Sequence, residues 1–335
     1  MYIAVDGFGG DNAPLAICEG VALALNEQKG FNVYLVGDEG KLKKIVDGFD
    51  CDKSRIEIVH APSVITMDDH PATAMCQKPD SSMAVACDLV KDGKAGAVLS
   101  AGNTGALLSG GVFKIKRIKG IARPALAPIM PCFGVEGKNK TLILDAGANA
   151  DCKAEYLLQF AHMASEYLRI LHGIDNPKVG LINIGTEEGK GNELCKEVYG
   201  MLKNSGLNFI GNIEARDIVS SSADVLVTDG FTGNVIIKFM EGMASTLFSE
   251  LKSALMGSTV SKIGAALSKN QMKELKRKVD YEELGASILL GVNGGVFKCH
   301  GSSSSKAIKN GLLQAVKFVQ DDVLNTIKDN MKEIG

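Results

Sequence analysis

The sequence predicts an α/β fold on a mostly parallel sheet, and three features of its 335 residues carry that reading. One local grammar recurs five times: a short apolar run rich in β-branched residues, a polar residue among glycines, then a helical pattern. The runs lack polar alternation, so both faces of each strand are expected to be buried, as in a parallel sheet covered by helices. The segments that follow carry the apolar stripe of amphipathic helices.

In chain order, the first unit is YIAVDGFGGDNAP (residues 2–14), where Asp11 or Asn12 is placed to cap a helix and Pro14 suits its first turn. NVYLVGDEG (32–40) fits the pattern more weakly, and AVLSAGNTG (97–105) is the second full unit. After the third, TLILDAGANAD (141–151), Leu157, Ala161, Ala164, Leu168 and Leu171 share one stripe, with Asp151 as the expected N-cap. VGLINIGTEEGKGN (179–192) and DVLVTDGFTGN (224–234) complete the set. Residues 234 to 279 then read as two paired helices meeting near ALMG (254–257). In the second, Val260, Ile263, Leu267, Leu275 and Val279 approximate one face, ringed by Lys262, Lys269, Lys273, Lys276, Arg277 and Lys278. Such a helix suits an anionic membrane surface, or a core with a solvated basic face.

Length allows a large core, in one two-lobed unit spanning residues 1–335 or in two domains in close contact. Lys plus Arg at 37 nearly balances Asp plus Glu at 39, so no global basic field argues for nucleic acid. The opening MYIAVDG runs into a strand pattern without a secretory signal, and no apolar run approaches a membrane span, so a cytoplasmic protein is expected. Eight cysteines show no C-x-x-C pair, which argues against zinc and for reduced thiols.

In open α/β sheets the ligand sits outside the carboxyl ends of the strands. Those loops collect Asp6, Ser100, Asn103, Asp145, Asn149, Asn183, Lys190, Asp229 and Asn234, mostly neutral donors suited to an anion. NIGTEEGKGN invites a nucleotide reading, which fails on spacing: Lys190 follows Gly185 one position too soon, and Gly191 stands where the hydroxyl belongs. What survives is an anion site made of backbone N–H groups at a helix start plus one ammonium. Asn103, Thr104 and Asn149 can donate to an anion or cap their own helices. Asp145 and Asp229 could ligate a metal in a dehydrogenase, or orient loop amides. The run FKIKRIKGIAR (113–123) offers Lys114, Lys116, Arg117 and Lys119 to an acidic partner, or to solvent.

Taken together, VDGFGGDNAP, HAPSVITMDDHP, KPDSSM, SAGNTGALL, RPALAP, LDAGANADCKAEYLLQFA, NIGTEEGKGN, GNIEARD, TDGFTGNVIIKFMEG and HGSSSSKAI closely resemble the PlsX-type phosphate acyltransferases, nearly end to end. The resemblance implies a two-lobed α/β/α sandwich, similar to isocitrate and isopropylmalate dehydrogenases and to phosphotransacetylase, built as a homodimer. It implies transfer of a long-chain acyl group from acyl carrier protein to inorganic phosphate, without cofactor or metal. The acyl phosphate product would feed a glycerol-3-phosphate acyltransferase in phospholipid synthesis. Lys190, Asn149 and His300 become the expected catalytic residues, His300 as the proton donor to the leaving thiol. Gly102, Asn103, Thr104, Asn183, Gly185, Gly189, Gly191, Asn192, Asp229 and Asn234 become the phosphate and substrate loops. The basic run becomes the carrier-protein dock, and Leu255, Met256, Ile263 and Leu267 the contact with an anionic membrane surface, making the protein peripheral there. Three places depart from the family pattern: Gly7 and Phe8 replace an Ala-Met pair, Cys76 replaces an Arg, and GASILLG (285–291) lacks a double glycine. Alternatives on the same fold are a decarboxylating dehydrogenase, although the strand-end loops hold almost no Arg, and a coenzyme A-dependent phosphotransacetylase. A non-catalytic membrane scaffold is the alternative of another class.

Overall fold

The computed structural model describes every residue except 134, 136–139, 280–284 and 333–335. Among the described residues the strands form two sheets. The first is ordered β3 (Ile56–His60), β2 (Asn32–Gly37), β1 (Tyr2–Asp6), β4 (Ala97–Ser100), β12 (Gly295–Lys298), β11 (Ser287–Leu290) and β5 (Ala125–Ala127). Its first five strands are parallel, and β11 and β5 close it antiparallel. The second is β6 (Ile129–Pro131), β7 (Lys140–Leu144), β10 (Val225–Val227), β8 (Lys178–Asn183) and β9 (Asn208–Glu214), antiparallel only at β6. All five units of the sequence pattern are strands, β1 and β4 in the first sheet and β7, β8 and β10 in the second. Their buried faces match the unalternated apolar runs.

The helices are α1 (Leu15–Glu27), α2 (Glu39–Asp47), α3 (Pro71–Gln77), α4 (Ser82–Lys91), α5 (Thr104–Gly110), α6 (Ala154–His172), α7 (Glu193–Lys203), α8 (Gly230–Met256), α9 (Thr259–Leu267), α10 (Lys269–Val279), α11 (Ser305–Gln320) and α12 (Val323–Met331). One core joins the sheets: Ile3 and Val33 of the first, Leu142 and Val179 of the second, Phe160 and Tyr167 of α6, and Leu312 and Val316 of α11 belong to it. Each such side chain contributes about 1.5–3 kcal/mol on burial. The Tyr167 hydroxyl inside it accepts from Gln314 Nε2 at 2.8 Å, so its polar tip is satisfied.

Three local expectations are corrected. Helix α6 starts at Ala154 with Lys153 in the cap position and no side-chain cap, because the chain as far as Asn149 is folded onto Asp145. Helix α1 likewise has no side-chain cap; Asn12 spends its amide on the carbonyls of Ser302 and Ser303. The second of the two paired helices is divided at Ser268, whose hydroxyl donates to the Gly264 carbonyl at 2.8 Å.

Among the described residues, helix α8 packs on the second sheet only near its start, where Ile236, Ile237 and Met240 rest on a small apolar cluster, and its outer length has α9 beside it. Phe231, Val235, Phe239, Met243 and Leu247 recur every fourth residue and are exposed, which makes one apolar stripe along its length.

Candidate active site

The site is organised by Asp145, fully buried just past β7 where the two sheets meet. Its Oδ1 accepts from the N–H groups of Leu126 in β5 (2.9 Å), Gly147 (3.2 Å) and Ala148 (3.0 Å). Its Oδ2 accepts from the Asn149 backbone (2.7 Å) and the Asn149 side chain (2.9 Å). Burial pushes the Asp145 pKa up, against the pull of these donors. The carboxylate therefore shapes the DAGAN loop, and Asn149 completes its own set by donating to the Pro124 carbonyl at 2.7 Å.

The TDGFTGN loop is welded to this one. Gly230 donates to the Asn149 carbonyl at 2.8 Å, and Asp229 caps α8 through the Thr232 N–H and hydroxyl, both at 2.8 Å. Gly147, at φ +126°, packs beside Asn234. A Cβ on Gly233 would lie 1.9 Å from the Asp145 carbonyl oxygen, so the α8 backbone rests directly on that peptide. Gly233→Ala is expected to destabilise the fold by about 1–3 kcal/mol, since no flexible side chain can yield there. Scanning calorimetry checks this; an unchanged Tm would show that α8 does not press on Asp145.

Lys190 stands in the neighbouring loop, between β8 and α7. Asn183, buried, fixes that loop by donating to the Lys190 carbonyl (3.1 Å) and accepting from Ile184 N–H (2.8 Å). Gly191 has φ +90°, and a Cβ there would strike the side-chain oxygen Oδ1 of Asn183. Asn192 caps α7 by accepting from Cys195 N–H at 2.9 Å, which leaves first-turn N–H groups directed outward. The Lys190 side chain lies against Gly185 with half its surface exposed. Each nearby glutamate has a cation: Glu187 faces Lys190 at 3.8 Å, Glu188 binds Lys203 at 2.9 Å, and Glu214 pairs with Arg216. Without those pairs their charge would repel an anion at this mouth.

The remaining expected site residues belong to strand ends of the first sheet. Gly102 donates to Ser100 Oγ at 3.0 Å. Asn103 caps α5 through Ala106 N–H (3.0 Å), and its amide spans the carbonyls of Thr66, Met67 and Asp69 at 3.2–3.4 Å. Thr104 opens that helix, and Gly189 lies on the Lys190 loop. His300 is exposed; its Nδ1 lies 2.8 Å from Ser302 Oγ and accepts from Ser302 N–H at 3.3 Å. The fold thus joins DAGAN to TDGFTGN with Lys190 on the adjacent strand end, and sets SAGNTG and His300 on the other sheet.

A family model described as fatty acid synthesis protein matches residues 1–326. The chain belongs to that family. It is 48% identical to the phosphate acyltransferase of Clostridioides difficile (strain 630), over 98% of this chain and 95% of that protein. It is also 48% identical to the phosphate acyltransferase of Lysinibacillus sphaericus (strain C3-41), over 100% and 99%. This membership of the PlsX-type acyltransferases bears out the resemblance carried by the motifs, and makes the chain an enzyme of the acyltransferase class. In fold it is similar to a phosphotransacetylase from Streptococcus pyogenes (TM-score 0.61, 17% identity, covering 96% of this chain and 94% of that one). A branched-chain phosphotransacylase from Enterococcus faecalis V583 shows the same architecture (TM-score 0.57, 15% identity, 95% and 99%).

The departures from the family pattern have visible surroundings. A Cβ on Gly7 would lie 2.8 Å from the Val36 carbonyl, and Phe8 fills the space over Gly37. Cys76 is exposed, while Lys78 binds Asp69 (2.6 Å) and the Val64 carbonyl (2.9 Å), holding the segment that Asn103 also grips. Of the basic run, Lys114 turns inward onto Asp88 at 2.6 Å, and the Arg117 guanidinium donates to the Ala122 carbonyl. Lys116, Arg117 and Lys119 remain exposed. Leu255 is half-buried, whereas Met256, Ile263 and Leu267 are exposed. No helix among the described residues is long and apolar enough to cross a membrane.

Sequence reasoning passed over Lys298, the last residue of β12, and Ser82, at the start of α4. Both are buried beside Asp6, whose carboxylate accepts from Ser82 and Ser100 at 2.6 Å each. The available signal was a lysine closing the apolar strand GVFK without a polar neighbour before it.

Proposed function

We propose that this acyltransferase moves a long-chain acyl group from an acyl carrier protein thioester to inorganic phosphate, releasing acyl phosphate for phospholipid synthesis. The observation that carries the reading is the Lys190 mouth: one half-exposed ammonium held only loosely by Glu187, a helix start with outward N–H groups, and Glu188 and Glu214 each paired to another cation. Phosphate is a competent nucleophile and a thioester an activated donor, so positioning and charge stabilisation suffice. A phosphate oxygen attacks the carbonyl, the oxyanion meets Lys190 and loop N–H groups, the C–S bond breaks, and the thiolate takes a proton. His300 serves as that donor only as imidazolium, the form in which Nδ1 is protonated and gives up the Ser302 N–H contact, and it returns to neutral imidazole when the thiolate takes the Nε2 proton. The test is phosphate-dependent release of carrier thiol from palmitoyl acyl carrier protein, with hydroxylamine trapping the acyl product. No thiol release at any phosphate concentration would reject the reading. The phosphotransacetylase-like folds favour a second reading with acetyl coenzyme A as donor, and the same assay with that donor decides it.

The exposed Lys116, Arg117 and Lys119 supply the charge that an acidic carrier protein would meet, and Lys119 continues into a cavity of about 690 Å³ that Lys328 also lines, with Lys332 there paired to Asp329 at 2.8 Å. A second copy of the chain is the occupant we assign to the α8 stripe, since a 27-residue helix buried only at Gly230 and Gly233 lacks cover of its own. The far end of that helix and α9 present Met256, Val260, Ile263 and Leu267 toward an anionic membrane surface. Ile263→Glu with Leu267→Glu is expected to abolish co-sedimentation with phosphatidylglycerol vesicles. Equal sedimentation of variant and wild type would remove this contact.

A further inference from the structure

Lys298 takes no part in the chemistry above, yet the fold buries it to 8% exposure. A buried ammonium is costly unless its donors are used. Here Nζ donates to the Ala101 carbonyl at 3.2 Å and to the Cys299 carbonyl. Ala101 is the first residue past β4, and Cys299 the first past β12. The neighbouring strand β1 ends in Asp6, which holds the hydroxyls of Ser82 and Ser100 and the Phe8 N–H. The loop after β1 in turn rests on the loop after β12, with Asp11 N–H on the Gly301 carbonyl at 2.8 Å and the Asn12 amide on Ser302 and Ser303. Two strand-end loops, one carrying Gly102 and Asn103 and the other His300, therefore meet at one buried amine, and the loop after β1 rests on the second of them.

We propose that Lys298 is a positioning residue for acyl transfer, holding the Ala101 and Cys299 carbonyls together so that the SAGNTG loop and the His300 loop keep a fixed mutual geometry. The proposal rests on the reading that these loops meet the substrate. Three titratable groups act on this amine: Asp6 at the end of β1, Asp11 in the loop after it, and the Cys299 thiol beside it. Burial outweighs their attraction and pulls the Lys298 pKa down to about 8. The ammonium is the stronger donor to carbonyls, so the clamp weakens as pH rises through 8. Stability moves the other way. The unfolded chain keeps this proton up to 10.5, so the penalty for burying the charge is complete below pH 8 and relieved as pH rises from 8 toward 10.5. A merely structural lysine would not separate the two trends.

The experiment compares wild type, Lys298→Met and Lys298→Arg in two readouts: the pH profile of kcat and KM for acyl transfer, and hydrogen exchange of the peptide covering residues 99–107. Wild type is expected to lose kcat on an alkaline limb near pH 8, at which exchange of residues 101–105, corrected for intrinsic rates, accelerates about ten-fold. Lys298→Met should lower kcat at pH 7 by about 100-fold with a smaller change in KM for phosphate. Lys298→Arg, permanently charged, should retain most activity and lose the alkaline limb. Wild-type kcat and pH profile in Lys298→Met would overturn the proposal, as would unaltered exchange of residues 101–105. Should Lys298→Met fail to fold, the limb and exchange in wild type against Lys298→Arg decide alone. If wild type transfers no acyl group while exchange still follows Lys298, the functional reading falls and the clamp survives only as structure; active wild type with exchange indifferent to Lys298 sinks the clamp alone.

Discussion

Lys190→Ala is expected to cut phosphate-dependent acyl transfer by about 10²–10³-fold, the usual loss when one preorganised charge at a developing oxyanion is removed. The Tm should barely move. The side chain is half exposed and its partner Glu187 lies 3.8 Å away, and such surface pairs contribute about 0–1 kcal/mol. Loop shape is held instead by Asn183, Gly191 and the Asn192 cap, none of which needs the ammonium. The substitution also uncovers Glu187, so phosphate binding should weaken along with turnover. Steady-state assays with varied phosphate, beside a thermal melt, give both numbers. Near-normal turnover would take Lys190 out of the chemistry.

Asp145→Ala is expected to produce the largest loss of stability at the site, about 3–5 kcal/mol, because it strands a buried donor set in one step. Leu126, Gly147, Ala148 and Asn149 would lose their acceptor, and each unsatisfied buried donor costs about 1–3 kcal/mol without simple addition. The loss spreads, because Leu126 belongs to the first sheet and Gly233 leans on the Asp145 peptide from α8. Urea titration followed by far-UV circular dichroism measures it. A loss under about 1 kcal/mol would mean that water replaces the carboxylate.

These two residues also mark how far the sequence could be read. The strands were legible because β1, β4, β7, β8 and β10 are unalternated apolar runs, and the site loops because each follows such a run. Division into two sheets was not legible. It depends on β5 and β6, three residues each in the segment ALAPIMP, too short to carry a period. The cap was readable by type at Asn103, while Asn192 and Asp229, read as loop residues of the anion site, also turn out to cap their helices. The same types misled at Asp151 and Asn12, since a tertiary partner can outbid a helix for the side chain or the chain's direction, as Asp145 and the Ser302 carbonyl do. The GVFK signal at Lys298 was too weak to act on, because a lysine after an apolar strand ordinarily reaches water, and only the sheet order shows it covered.

Helix α8 spans 27 residues, roughly 40 Å at the α-helical rise, and its two ends do different things. One end is seated on the Asp145 peptide through Gly233; the other carries the exposed Met256. A rod seated this way is a mechanical link. Whatever restrains its outer length narrows the angles at which the first turn meets Asp145, and a ligand that tightens the first turn steadies the outer length in return. Reciprocity of coupled binding makes the two effects equal in free energy. If the loops at its first turn hold phosphate and its apolar stripe holds a partner, as proposed, each binding event would be read out at the other's end, across a distance no side chain spans.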